Sequence, residues 1–213
     1  PLSRLFTQPS RQRHYRSSMR FAFLTAALLS LGGCALVSPT PPLSGELDGY
    51  PAAYRAALID FPGGQDVAPE TLARFEAFLR NIGSEDTHLR AAELYAEQLH
   101  FSDALLLATR RAQVVKHFKS IAEGGAEVDV DMLETLKKGA DVYLIWHMRA
   151  TFTPLRKTVE SRTLGITHLR FNDAGEVVIH QDFWDSGRGF YAHVPLLGAG
   201  VRAIGRRFTP DSP

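Results

Sequence analysis

"DVYLIWHMRATF", Asp141 to Phe152, alternates without a break. Val142, Leu144, Trp146, Met148, Ala150 and Phe152 fall on one face, and Tyr143, Ile145, His147, Arg149 and Thr151 on the other. A period of two held this long makes a strand with one face in a core and the other wet or paired. Three further runs share the pattern: "VDVDMLETL" (128–136), "RTLGITHLRF" (162–171) and "EVVIHQDFW" (176–184). The last two are joined by the turn "NDAG", and consecutive strands with short links imply antiparallel neighbours. In the first run the apolar parity slips between Met132 and Leu133, which predicts a bulge that bends the sheet.

Upstream the period is helical. Pro69 suits a first helical turn, and Leu72, Phe75, Leu79 and Ile82 recur at helix spacing until Gly83. Residues 86–97, "DTHLRAAELYAE", read as a second short helix with Leu89, Ala92 and Tyr95 or Ala96 inward, followed by a short strand at "LHFSD". A third helix is expected from Arg110 to Ala122, capped by Thr109, striped by Val114, Phe118 and Ile121, and ended by Gly124 and Gly125. About three helices followed by a long, bent antiparallel sheet is an α+β arrangement.

The N-terminal third speaks of location. In "MRFAFLTAALLSLGGCALVSPTPP" (19–42), Arg20 precedes an apolar run from Phe21 to Leu31 that suits a secretory signal and is too short to span a bilayer. Leu31, Gly32, Gly33 and Cys34 resemble the lipobox of bacterial lipoproteins, and Cys34 is the only cysteine. The expected organisation is an upstream segment 1–18, a lipoprotein signal peptide 19–33, a lipidated Cys34 with a Pro-rich tether to residue 49, and one domain from 50 to 208. Ala35, not aspartate, follows the cysteine, which in the bacterial sorting pattern favours the periplasmic face of the outer membrane.

Charge narrows the partners. Of the 24 basic residues, Arg4, Arg11, Arg13, Arg16 and Arg20 precede Cys34, which leaves 19 against 23 acidic ones downstream. A net negative body offers no field for nucleic acid. The eight histidines show no ligand spacing such as H-E-x-x-H, so no metal is expected, and no motif asks for a cofactor. "GAGVRA" (198–203) follows Pro195 and not a strand, so it is no dinucleotide fingerprint. With Arg202, Arg206 and Arg207 it reads as a frayed amphipathic end, with contact to a membrane surface as a lesser reading.

The order of elements, the join "YAEQLHFSD", and a last strand ending in "HQDFWDSG" before "PLLG" resemble the SnoaL-like branch of the nuclear transport factor 2 (NTF2) superfamily over about residues 70–200. The resemblance implies a cone-shaped curved sheet wrapped on the helices, an apolar pocket inside the cone, and often a homodimer. It also implies that "QDFWD" is similar to the last strand of the superfamily's epoxide hydrolases, with Asp182 as the pocket carboxylate. Those enzymes carry an arginine and an aspartate two residues apart where this chain has Trp146 and Met148.

His180, Asp182 and Trp184 share a strand face, so Asp182 is expected inside the cone beside Trp146 and Trp184, as the only acidic group on that wall. Asp182 and His180 are the catalytic candidates. Tyr95, Asp103, Trp146, Met148, Trp184 and Tyr191 are expected around the pocket. For Asp103 turn hydrogen bonding is the plainer reading, for Tyr95 a core position with a satisfied hydroxyl, and for Asp182 a strand-end bond to backbone or to Arg188. Two functions follow. One is a membrane-anchored lipoprotein that binds a small apolar ligand or a protein partner; the other is a cofactor-independent acid–base enzyme using Asp182.

Overall fold

A computed structural model describes residues 49–154 and 157–208. The expected leader, Cys34 and the tether lie outside the described residues, save Gly49. In chain order the elements are α1 (Gly49–Asp60), α2 (Pro69–Arg80), α3 (Thr87–Leu94), β1 (Tyr95–Ser102), β2 (Leu107–Arg110), α4 (Arg111–Glu123), β3 (Glu127–Lys138), β4 (Asp141–Phe152), β5 (Val159–Phe171), β6 (Val177–Trp184), α5 (Ser186–Gly189), a 3₁₀ turn (Tyr191–His193) and α6 (Leu197–Phe208).

The long strands fold where their alternation places them. β3 to β6 form an antiparallel meander within one curved, unclosed sheet of order β2-β1-β6-β5-β4-β3. The bulge falls where parity slips: pairing passes from Met132↔Trp146 to Glu134↔Ile145, which leaves Leu133 unpaired and 56% exposed. The "NDAG" turn closes through Asn172, whose Oδ1 accepts from the backbone N–H of Ala174 and Glu176, and Gly175 takes the φ of +76° that the turn requires.

Several elements differ from expectation. β1 lies parallel to β6, because the meander carries the chain back beside its first strand and α4 with β3–β5 serves as the crossover. The helix expected over 86–97 ends at Leu94: Tyr95 is already extended (φ −100°, ψ 139°), and "YAEQLHFS" is one strand. Thr87 is buried and donates to Asn81 O at 2.9 Å, which turns the stripe to Thr87, Ala91 and Leu94 and leaves Leu89 and Ala92 exposed. Thr109 belongs to β2; α4 is capped by the Gln113 side chain, whose Oε1 accepts from Thr109 N and Arg110 N.

Among the described residues there are six α-helices, not about three. Of the additional ones, α1 matters most, since it crosses the face of the sheet opposite α2–α4. Tyr54 Oη lies 2.8 Å from His168 Nδ1, and Arg170 donates to Leu58 O and Phe61 O. Among the described residues no helix is long and apolar enough to cross a membrane.

The core lies between the inner face of the sheet and α2–α4. Phe75, Phe78, Tyr95, Phe101, Phe118, Leu144 and Leu169 are buried there, with Phe78 and Phe118 edge to face at 5.0 Å. Such burial contributes about 2 kcal/mol per large side chain. The inner face of β4 and the facing positions of β5 and β6 continue past this core into an open space.

Candidate functional site

That space is a cavity of about 330 Å³ with mostly apolar walls. Trp146 and Met148 reach it from β4, Trp184 from β6, Phe101 from β1, Phe118 from α4 and Phe190 from the segment after α5. Room for the indole of Trp146 comes from its cross-strand partner Gly165, where a Cβ would collide with Trp146 Cη2 and Cζ2. Gly189 serves Trp184 in the same way, since a Cβ there would sit 2.6 Å from Trp184 Cζ3.

Into this apolar space the sheet delivers a linked set of polar groups. Leu169↔His180 and Thr167↔Asp182 are neighbouring rungs of the β5–β6 ladder, so all four share the inner face. Trp146 Nε1 donates to Thr167 Oγ1 at 2.8 Å, and Thr167 donates to Asp182 Oδ1 at 2.5 Å. His180 Nε2 lies 3.0 Å from the same Oδ1, and Tyr95 Oη lies 2.8 Å from His180 Nδ1. Burial, then the negative charges of Asp182 and Asp103, push the Tyr95 hydroxyl well above its ordinary pKa, so it stays protonated. A buried phenol with no other acceptor donates, which makes Nδ1 the acceptor and Nε2–H the donor to Asp182. Oδ1 therefore takes two hydrogen bonds. Oδ2 takes none among the described residues, and the Asp182 side chain lines the cavity.

A second pair stands at the same cavity. His117 Nε2 lies 2.7 Å from Asp103 Oδ2, while Asp103 Oδ1 accepts from Leu105 N and Leu106 N. Burial would raise the Asp103 carboxyl, but the hydrogen bond and charge of His117 and the two backbone donors outweigh it and hold the group below its ordinary value. The Phe101 ring separates the pairs, 4.7 Å from His180 and 5.7 Å from His117.

The structure thus brings Asp182, His180, Asp103, Trp146, Met148 and Trp184 to one cavity. Two expected pocket residues are placed elsewhere. Tyr95 is wholly buried behind His180 and positions that ring without lining the space. Tyr191 lies in the 3₁₀ turn with its ring against Phe190, and Phe190 takes the place at the wall because the turn after α5 rotates its neighbour outward. Among the described residues the Asp182 side chain bonds neither backbone nor Arg188, which pairs with Asp185 at 3.5 Å, and Asp103 adds a second acid to the cavity.

Sequence reading missed His117 and Thr167. His117 was legible: with Val114, Phe118 and Ile121 it completes an i, i+3, i+4, i+7 stripe. Thr167 shares parity with Leu169 and Phe171, but its role depends on the register with β6, which no local pattern shows. Among the described residues no group of three or more His, Cys, Asp or Glu side chains is placed to hold a metal. A cleft of about 570 Å³ between α1 and β1–β2 lies apart from these pairs. Two of its polar groups are committed elsewhere, His100 to Gln181 at 2.9 Å and Glu97 to Arg111 at 2.7 Å.

No family model and no curated protein matches the chain. Among solved structures the chain is similar to a protein named a SnoaL-like polyketide cyclase from Shewanella denitrificans. The identity is 15%, the match covers 57% of this chain and 94% of that one, and the TM-score is 0.50. A second such protein, from Shewanella putrefaciens, matches at 14% identity over 64% and 88% of the two chains, with a TM-score of 0.49. An epoxide hydrolase from M. tuberculosis matches at 16% identity over 65% and 96%, with a TM-score of 0.48. The fold is the SnoaL-like, NTF2-like cone. The likeness shows the fold alone, and a fold does not decide function.

Proposed function

We propose that the domain binds a small apolar molecule in the cone and transfers a proton on it, with Asp182 as the base. One observation carries this reading: Oδ1 of Asp182 takes hydrogen bonds from Thr167 and His180, while Oδ2 has no partner among the described residues and the side chain lines a mostly apolar cavity. A carboxylate that only braced a strand would spend both oxygens on the protein. This one is held rigid by one oxygen and offers the other to whatever enters, the arrangement a general base needs. Charge developing on the ligand would face the His117–Asp103 pair and the ring edges nearby. Hydrolysis in the manner of the epoxide hydrolases is not part of the reading, because Trp146 and Met148 put an indole and a thioether where a polar pair would be needed.

We also propose, on sequence grounds, that Cys34 carries a lipid and tethers the domain to the cell envelope, at the periplasmic face of the outer membrane. Labelled palmitate should enter the wild-type chain and not a Cys34→Ser variant; label retained by the variant would defeat the anchor.

The proton-transfer reading is tested in D₂O with a panel of small cyclic ketones. Wild type should bind and install deuterium beside the carbonyl of a ketone that it captures. Asp182→Asn keeps an oxygen for Thr167 and His180, so it should bind the same ketone and exchange nothing. Capture by wild type with no exchange above the variant would leave a binding module and sink the enzymatic reading.

A further inference from the structure

We propose that α6 is an interfacial helix that docks the domain flat on an anionic phospholipid surface. Its sequence, "LGAGVRAIGRRF", puts Leu197, Val201, Ile204 and Phe208 at i, i+4, i+7 and i+11, on one narrow stripe. The stripe is left in water: Leu197 is 49% exposed, Ile204 62% and Phe208 82%, and Leu196 just before the helix is 92% exposed. The body holds the helix by its neighbouring side. Gly198 is buried against the 3₁₀ turn, where a Cβ would strike Ala192 O, and Arg202 donates to Ala192 O at 2.7 Å. Apart from that edge, nearly every residue of the helix is exposed.

A helix of this length is marginal in water on its own, and the interior glycines Gly200 and Gly205 weaken it further. Its apolar stripe therefore wants a surface. Charge names the kind. The helix carries Arg202, Arg206 and Arg207 and no acidic residue, and the first acid after it is Asp211. The rest of the body leans negative, so these arginines are a local exception. Arg206 and Arg207 form no ion pair among the described residues; the Arg207 guanidinium flanks the apolar stripe and can reach headgroup phosphates while the stripe enters the acyl boundary, and Arg206, on the polar side with Arg202, adds to the positive field at the surface. At 1.5 Å per residue the helix is about 18 Å long, which lets it lie on a bilayer and not span it.

The proposal is independent of proton transfer and of a lipid on Cys34. The test uses the full chain in a Cys34→Ser background, with an environment-sensitive fluorophore on Ile204→Cys, in the stripe, or on Ala199→Cys, on the far side. Vesicles are phosphatidylcholine alone, or phosphatidylcholine and phosphatidylglycerol in equal parts. The leader can bind vesicles by itself, but only a docked α6 puts position 204 in lipid while position 199 stays in water. The expected result is a blue shift at 204 and none at 199, with apparent affinity at least about tenfold higher for the anionic vesicles. Replacing Arg206 and Arg207 by Gln, which leaves the Arg202 anchor in place, should remove most of that preference while circular dichroism of the body is unchanged. Three results overturn the proposal: no shift at 204 on anionic vesicles, equal affinity for both vesicle types, or a lipid-free shift at 204 that grows with protein concentration. The last would mean that a second copy covers the stripe.

Discussion

The hydroxyl of Thr167 stands 2.5 Å from Oδ1 of Asp182, directly opposite it in the β5–β6 ladder, and accepts from the Trp146 indole at 2.8 Å. One buried hydroxyl thus joins an indole of the cavity to one of its two carboxylates. Thr167→Val keeps the shape and removes both bonds, which leaves a buried indole N–H without a partner. The change should cost about 1 to 3 kcal/mol in urea unfolding. Combined with Trp146→Phe, which has no N–H to orphan, the loss should be smaller than the sum of the two single changes. Strict additivity would show that the indole does not depend on Thr167.

Gly165 predicts a steric effect at the same place. Any side chain there meets the Trp146 ring, so Gly165→Ala must push the indole off its site or open the β4–β5 pair. We expect a loss of about 1 to 3 kcal/mol, a red-shifted tryptophan emission as a ring moves toward water, and weaker uptake of apolar ligands. Unchanged emission with unchanged stability would mean that the sheet absorbs the methyl group.

These two positions show what the sequence could and could not disclose. Alternation alone put Trp146, Met148, His180, Asp182 and Trp184 on the correct faces, because side-chain direction in a strand is fixed locally. The Leu133 bulge was legible for the same reason. Pairing is a long-range property, so neither the Thr167–Asp182 bond nor the parallel approach of β1 to β6 could be read. α1 escaped because "GYPAAYRAALID" is rich in alanine and its anchors, His168 and Arg170, lie 114 and 112 residues from the helix positions they bond. Tyr191 was misplaced because a single turn after α5 decides whether it or Phe190 faces inward.

The far face of the sheet carries a pH dependence. His168 is buried between Tyr54 Oη and Asp141 Oδ1, and burial, against the pull of Asp141, holds it below its ordinary 6.5, with Arg170 adding to the depression. A histidine depressed in the folded state takes its proton more readily when unfolded. Stability is therefore complete above 6.5 and falls as pH drops from there toward the folded value. Burial also depresses His100, so the two add. Urea midpoints should decline between about pH 7.5 and about pH 5. His168→Gln, which takes up no proton in that window, should flatten the slope in part and leave the portion due to His100. An unchanged slope would show that His168 does not titrate with folding.

His117 and Asp103 give the last prediction, which separates a structural pair from a mere coincidence of side chains at the cavity wall. Asp103 is held below its ordinary 3.8 although burial opposes this, chiefly because His117 lies 2.7 Å from Oδ2. A carboxyl depressed in this way contributes stability that is complete above 3.8 and disappears as pH falls through its folded value. His117→Leu removes the partner and keeps an apolar side chain on the α4 stripe beside Phe118. The Leu105 and Leu106 N–H groups still hold Oδ1, so the turn should survive, but Oδ2 is left in a partly buried site with nothing to oppose the cost of burial. At neutral pH the variant should be less stable by about 1 to 3 kcal/mol. As pH is lowered from about 4 to about 2, the wild type loses the stabilisation that the pair supplied while the variant has none to lose, so the difference between them should shrink. A difference that stays constant through that range would mean that the loss comes from packing of the new leucine and not from the carboxylate, and the pair would then have no electrostatic part in the fold.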